Sequence, residues 1–560
     1  MGKRFLVIGG VAAGPKAAAK ARRCDPDLEI ILYQEEDEIS YAGCGLPYYV
    51  SGIIKERKDL ISRTTDQFAQ EKIEIQKGHR VEAIDPVRQV ISGRDLRSGR
   101  TFTECYDRLV IATGAASIRP KIEGVNLKGV FSLRSIFDAD AILQRIQSGD
   151  VRNVVIVGGG YIGLEMAESL VQLGKKAVIV ELAPQLLTLF DEDFSGVLRR
   201  YLEKKGVQSL TSEGIQSIRG SEGKATHVRT EIRELEADVV LMSLGVRPHV
   251  ELARKAGLRI GETGAIWVNE RMETSADGIY AAGDCAETTH LVTGKKVWVP
   301  LGSTANKQGR VVGINVCGGN ATFPGVFGTT VFKTFDYKVA KTGLNMREAR
   351  GEGFHPVQAI VRGYDRAHYY PGGKESILKV IADQETGRIL GGQAMGEGPS
   401  DKLVDILAMA LHGKMTCREL AAVDLAYAPP FSPALSPVIV AANVLMNKFE
   451  GKMRSVQASE VREKIQSSKG EFQVLDVREE NEVKAGRIPG SAWIPYGELE
   501  GRMNELDEKR EVAVHCASGL RSYKACLRLQ QKGFENVKNI DGGMLCWFYD
   551  VESEGKEEKK

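Results

Sequence analysis

Two cysteines stand in settings that suit sulfur chemistry. Cys44 lies in SYAGCGLPYYV (40–50), flanked by glycines at the start of a short helix-like run. A pair spaced C-x-x-x-x-C could store two electrons as an internal disulfide, but Tyr49 occupies the second place. A thiolate is the attacking species in thiol–disulfide exchange, and a helix N-terminus favours the anion. With one thiol, the second sulfur must come from the substrate, so the expected intermediate is Cys44–S–S–R. The other cysteine, Cys516, opens the loop CASGLR (516–521) between a strand-like EVAVH and a helix-like stretch. Such a loop points successive backbone N–H groups at one sulfur, and Arg521 adds positive charge; both stabilise a thiolate or a persulfide anion.

The elements that must position Cys44 are two strand–glycine–helix units. RFLVIGGVAAGPKAAAKARR (4–23) reads as a buried strand, a glycine turn and an alanine-rich helix, and VRNVVIVGGGYIGLEMAESLVQL (151–173) repeats the plan. The second carries a full G-x-G-x-x-G at Gly158, Gly160 and Gly163, which lets a pyrophosphate approach the backbone at the helix N-terminus. Glu181 closes the next strand, where a carboxylate holds a ribose 2′-hydroxyl, and no arginine follows closely to accept a 2′-phosphate. That predicts NADH rather than NADPH. The first unit keeps Gly9 and Gly14, but Val11 replaces the middle glycine and Ala12 follows it. Gln34 stands where the ribose-binding acid is usual, with Glu35 and Glu36 beside it. Two later strand-then-glycine segments, LVIATGAA (109–116, with Thr113 and Gly114) and GIYAAGDCAE (278–287, with Gly283 and Asp284), resemble the remaining flavin contacts of two-dinucleotide flavoproteins, Asp284 being directed at the ribityl chain. FAD and NADH are the expected cofactors.

The chain has 560 residues, with a formal net charge of +2. That length predicts three or four domains, and that charge argues against a nucleic-acid or membrane-surface partner. No run of about 18 apolar residues suggests a transmembrane helix. Nine scattered cysteines suit a reducing cytosol better than a disulfide framework. No metal site is expected, and the final VESEGKEEKK reads as a solvated tail.

ISYAGCGLPYY, GGVAAG, AHYYPGG (367–373) and LAYAPPFSP (425–433) together resemble the coenzyme A-disulfide reductases and the related NADH-dependent persulfide reductases, over roughly residues 1 to 450. The resemblance implies that Cys44 lies over the flavin and cycles between thiolate and mixed disulfide or persulfide. It implies a homodimer in which Tyr427, reaching across from the partner subunit, and one of Tyr369 or Tyr370, here Tyr370, reach the active site. It places substrate contacts at Lys20, Arg23, Ser40 and Gly43, the last where the family often has asparagine. Lys16, Lys20 and Arg23 share one helix face, with Arg22 alongside, and could meet the phosphates of coenzyme A. Single-cysteine relatives that reduce peroxide or oxygen carry a histidine in the first glycine turn; Ala12 stands there, which counts against that chemistry.

Residues 455–550 resemble a single rhodanese domain. The expected fold is α/β: two Rossmann-like dinucleotide-binding domains (FAD at 1–120 with 278–324, NADH at 150–277), an α+β dimerisation domain (325–447) and a C-terminal α/β rhodanese domain (455–550). Asp476 and Arg478 are expected to be structural, and Cys526 and Cys546 to be packing residues. The fusion favours a cytoplasmic reductase of coenzyme A persulfide and polysulfide. Coenzyme A disulfide is the alternative substrate, and NADH oxidase or peroxidase activity, or a sulfur-delivery or redox-sensing role, the lesser ones.

Overall fold

A computed structural model describes residues 3–467 and 472–552; the expected tail at 553–560 lies outside the described residues. The chain divides into two compact units, Met1–Leu182 with Val207–Val326, and Ala183–Gly206 with Phe327–Lys560.

The first unit holds two parallel five-stranded sheets. One runs Ile279–Ala281, Arg108–Ile111, Arg4–Ile8, Glu29–Gln34, Ile73–Lys77, with Leu6 paired between Ile31 and Leu109. The other runs Gln208–Leu210, Lys176–Val180, Asn153–Val157, Val239–Met242, Val130–Phe131. Their central strands are continuous apolar runs, as strands covered on both faces require. The first helix, Ala13–Cys24, buries Ala17, Ala18 and Ala21 completely. It lies against the helix Gly302–Asn315 at a separation only glycine permits, since a Cβ on Gly309 or Gly313 would strike the carbonyls of Ala13 or Ala17.

The second unit contains an antiparallel sheet in the order Thr330–Thr334, Tyr337–Gly343, Ile389–Gly396, Glu375–Asp383, Pro356–Tyr364. Its other sheet is parallel, in the order Ser455–Val456, Val537–Ile540, Glu511–His515, Phe472–Asp476, Ala492–Trp493. The helix Glu192–Lys204 belongs to this unit, although its sequence lies within the stretch 150–277. Fully buried Lys379 Nζ lies 3.1 Å from Asp191 and 2.6 Å from Asp193 at that helix's start, and Tyr201 of the helix stacks on Tyr337.

The two sheets of this unit are joined by more than chain. Lys448 Nζ, on the helix Pro437–Phe449, donates to Asp541 Oδ1 at 2.7 Å and to the Gln358 carbonyl at 2.6 Å, and both charged side chains are 6% exposed. Removing one partner of such a pair leaves a buried unpaired charge. Lys448→Ala is therefore expected to lower unfolding stability of this unit by about 3–5 kcal/mol. The paired change Lys448→Met with Asp541→Leu should recover most of that in chemical denaturation.

Candidate functional site

Both glycine turns are tied by the residue that ends the adjacent strand. Gln34 Oε1 accepts the Gly10 N–H at 2.7 Å, and Glu181 Oε2 accepts the Gly159 N–H, also at 2.7 Å. Gly9 (φ +108°) and Gly158 (φ +111°) hold backbone conformations that side chains resist. A Cβ on Gly14 or Gly163 would collide with the carbonyl of Gly9 or Gly158 respectively, whereas one on Gly160 would meet open space. Each turn is thus a cradle that a pyrophosphate can enter, and the residues present fit two dinucleotides. Val11 and Ala12 are half-buried at the start of the first helix. Gln34 is buried with its amide oxygen on the Gly10 N–H, as Glu181 sits on Gly159, and exposed Glu35 pairs with Arg80.

Around the first turn, the Thr113 hydroxyl donates to the His249 carbonyl at 2.7 Å, and Gly114 takes φ +71°. Gly283 (φ +81°) packs against Ala13. Asp284 receives a hydrogen bond from Arg134 at 3.1 Å; burial raises its carboxyl above the usual range, with Arg134 opposing.

Cys44 is exposed on a tight turn, Gly43–Gly45, that runs directly into the helix Leu46–Val50. Three side-chain contacts dock that helix. Ser169 Oγ donates to the Pro47 carbonyl at 3.0 Å, Tyr48 to Glu165 at 3.3 Å, and Tyr49 to Asp140 at 3.1 Å. Ser169 and Glu165 lie on the fingerprint helix Tyr161–Gln172, so the thiol-bearing turn is fastened to the element that starts at the second cradle. The place a second cysteine would take is filled by buried Tyr49. Gly45 cannot carry a side chain, because Leu60 would meet it; a Cβ on Gly43 finds open space. Ser40 is buried with φ +48°, its N–H donating to the Gly10 carbonyl at 2.7 Å.

Sequence reasoning missed Glu165 and Tyr48. Burial pushes the Glu165 carboxyl up to about 7, the Tyr48 hydrogen bond opposing. Burial, then the Glu165 charge, holds the Tyr48 hydroxyl well above the ordinary phenol range, with Cys44 among the lesser contributors. A carboxyl that can hold or release a proton near neutrality therefore sits one hydrogen bond from the phenol four residues after the thiol. The one available signal was an acid two residues after the last fingerprint glycine.

Other expectations shift. Arg22 donates to the carbonyls of Glu71, Asp25, Pro26 and Lys72, so it clasps the end of the first helix rather than facing a substrate. Lys20 is half-buried against Gly313 and Arg23 is exposed. Tyr369, Tyr370 and Tyr427 are all exposed; Tyr427 is the neighbour that raises the Tyr369 hydroxyl, and the Tyr370 ring lies 5.8 Å from the Arg366 guanidinium.

In the second unit, Cys516 is buried at the end of the strand Glu511–His515. The Gly519 N–H donates to its sulfur at 3.1 Å and the Ser522 hydroxyl at 3.4 Å. The expected ring of successive N–H donors is, in this structure, one amide and one hydroxyl. Met544 and Leu545 donate N–H bonds to the Cys516 and Ala517 carbonyls at 2.9 and 3.0 Å, bracing the loop from behind. Arg521 does not stand as an uncompensated charge: it makes a two-pronged ion pair with Glu482 at 2.6 and 2.7 Å. Asp476 and Arg478 form a buried pair, and burial raises the thiols of Cys526 and Cys546, as structural roles require. Burial pushes His515 down to about 4, so it is neutral behind the loop.

Residues 3–309 match the pyridine nucleotide-disulphide oxidoreductase model. The chain belongs to the pyridine nucleotide-disulphide oxidoreductase family. Residues 329–438 match the dimerisation domain of that family and residues 457–549 a rhodanese-like domain. Within the family, the chain is 40% identical over 447 residues to an NAD(P)H coenzyme A polysulfide/persulfide reductase of Pyrococcus horikoshii, covering 80% of this chain and 99% of that one. Its fold is similar to an NAD-dependent persulfide reductase from A. fulgidus (TM-score 0.91, 41% identity, 97% of this chain and 100% of that one). It is also similar to reduced Bacillus anthracis CoADR-RHD (TM-score 0.92, 33% identity, 98% of each). Among the described residues, no helix is long and apolar enough to cross a membrane.

Proposed function

We propose that the protein is a cytoplasmic, homodimeric, NADH-driven reductase of coenzyme A persulfide and polysulfide whose rhodanese domain carries sulfane sulfur. The observation that carries the reading is the exposed lone thiol of Cys44, docked on the fingerprint helix with Tyr49 in the second cysteine's place. An enzyme so built cannot close an internal disulfide at this position and must take its second sulfur from the substrate.

The Cys44 thiolate attacks the carbon-bound sulfur of a persulfide R–S–SH, forming Cys44–S–S–R and releasing HS⁻. FAD, when bound, supplies the route by which two electrons from NADH cleave that bond to the Cys44 thiolate and RS⁻. Gly9, Val11, Ala12, Gly14, Gln34, Glu35, Thr113, Gly114, Gly283 and Asp284 would hold the FAD; Gly158, Gly160, Gly163 and Glu181 would hold the NADH. Tyr48 with Glu165, and Tyr427 with Tyr370 or Tyr369, are the groups proposed to hold a proton for the departing thiolate. Lys20, Arg23, Ser40 and Gly43 remain the proposed substrate contacts. The side-chain-free Gly43 leaves room for carriers other than coenzyme A disulfide.

The test is steady-state NADH oxidation against coenzyme A persulfide, polysulfide, coenzyme A disulfide and peroxide. Persulfide or polysulfide should give the highest kcat/KM. A clear preference for coenzyme A disulfide would favour the second reading, and no NADH turnover with any sulfur substrate would overturn the enzyme assignment. In the same assay NADH is expected to outperform NADPH at least about tenfold, ~1.4 kcal/mol. Glu181, fixed by Gly159, would repel a 2′-phosphate; equal efficiency would remove that role.

A further inference from the structure

The first unit holds a second pair of thiols that the reductase reading does not use. Cys24 is the exposed last residue of the helix Ala13–Cys24, and Cys317 lies two residues beyond the helix Gly302–Asn315. The two helices are pressed together at Gly309 and Gly313, which brings residues 293 apart in sequence (317 − 24) to one helix end. Cys317 Sγ lies 3.5 Å from the Ala21 carbonyl, one turn before Cys24, and 3.6 Å from the Gly313 carbonyl. Burial first, and the neighbouring Cys24 thiol next, push the Cys317 thiol up to about 11. One thiol is therefore open to reagents and the other is half-sheltered behind it, at helix ends where side chains have room to change rotamer.

We infer that Cys24 and Cys317 form a sulfane-sulfur-reactive dithiol that closes to a disulfide. The exposed Cys24 thiolate attacks the outer sulfur of a persulfide or polysulfide, giving Cys24–S–SH and releasing the carrier thiolate or shortened polysulfide. Cys317 then attacks the Cys24 sulfur, forming Cys24–S–S–Cys317 and expelling HS⁻. Two thiols are oxidised and one sulfane sulfur is reduced to sulfide, so the oxidant is the sulfur donor itself and no other is required. The crosslink would join the ends of two helices already pressed together at Gly309 and Gly313.

The experiment reads peptides rather than NADH oxidation, so it stands apart from any failure of the reductase reading. Full-length wild type and the Cys44→Ser/Cys516→Ser variant are reduced, desalted and treated with inorganic polysulfide. Free thiols are then alkylated and the digest is analysed by mass spectrometry. The expected result, in both proteins, is a peptide pair joined Cys24 to Cys317 that dithiothreitol separates. Exposed Cys105 should gain sulfur without crosslinking. In a Cys317→Ser variant, Cys24 should instead accumulate as a persulfide. Persulfide on Cys24 with no crosslink in the protein that retains Cys317, or no modification of Cys24 beyond that of Cys105, would overturn the inference.

Discussion

Cys44→Ser is expected to bind FAD normally and to lose NADH-dependent persulfide and disulfide reduction by at least about a hundredfold, ~2.7 kcal/mol or more of transition-state stabilisation. Serine reproduces the shape of the thiol without an accessible anion, and the sulfur–sulfur bond on which turnover rests cannot form. The fold should not register the change. Cys44 is exposed, its helix is held by Ser169, Glu165 and Asp140, and none of those contacts uses the sulfur. Flavin absorbance, thermal unfolding and NADH consumption with coenzyme A persulfide check the three parts separately. Retention of more than a few per cent of persulfide turnover would mean that another group is the redox thiol.

Cys516→Ser is expected to abolish thiosulfate sulfurtransferase activity while leaving reduction of small free polysulfides largely intact. The sulfur of Cys516 is the acceptor of the Gly519 N–H and the Ser522 hydroxyl, and a persulfide anion formed there would inherit those donors. Small polysulfides can reach Cys44 by diffusion. Bulky or protein-bound persulfides gain from a carrier on the same chain, where tethering sets local concentrations of ~mM, so their reduction should fall more. The rhodanese-like domain is docked on the antiparallel sheet through Lys448 and Asp541, not suspended on a free linker, so delivery must begin from a held orientation. NADH oxidation by wild type and variant with each substrate class is the comparison. Equal loss for small and bulky substrates would show that Cys516 is no selective feeder, and no loss for either would leave it a separate activity.

The parts of the site that could be read from the chain alone are those whose chemistry is local. Gly9 and Gly158 are needed because of their own backbone angles, and Gly14 and Gly163 because a carbonyl five residues earlier stands where a Cβ would go. The spacing from Cys44 to Tyr49 already excludes an internal disulfide there. Cys516 to Arg521 is a single loop between strand and helix, and its sulfur is bound by residues three and six positions on. Buried apolar strands followed by alanine-rich helices likewise announce parallel sheets, since each strand must be covered on both faces.

What the sequence could not decide is which distant groups spend one another's hydrogen bonds. Arg22 looked like a neighbour of the basic face until four carbonyls claimed its guanidinium, two of them 49 and 50 residues away. Gln34 holds the Gly10 amide as Glu181 holds that of Gly159, and Glu35 pairs with Arg80. The Arg366 guanidinium lies near the Tyr370 ring, and Arg521 is already matched by Glu482. Burial perturbs Glu165, and the phenol that hydrogen-bonds it, Tyr48, lies 117 residues away. By itself the sequence determined the cradles, the lone thiol and the sulfur-binding loop, because backbone angle and short spacing suffice for each. Only the tertiary structure decided which charges were left to act, because desolvation and pairing depend on whatever the rest of the chain brings alongside.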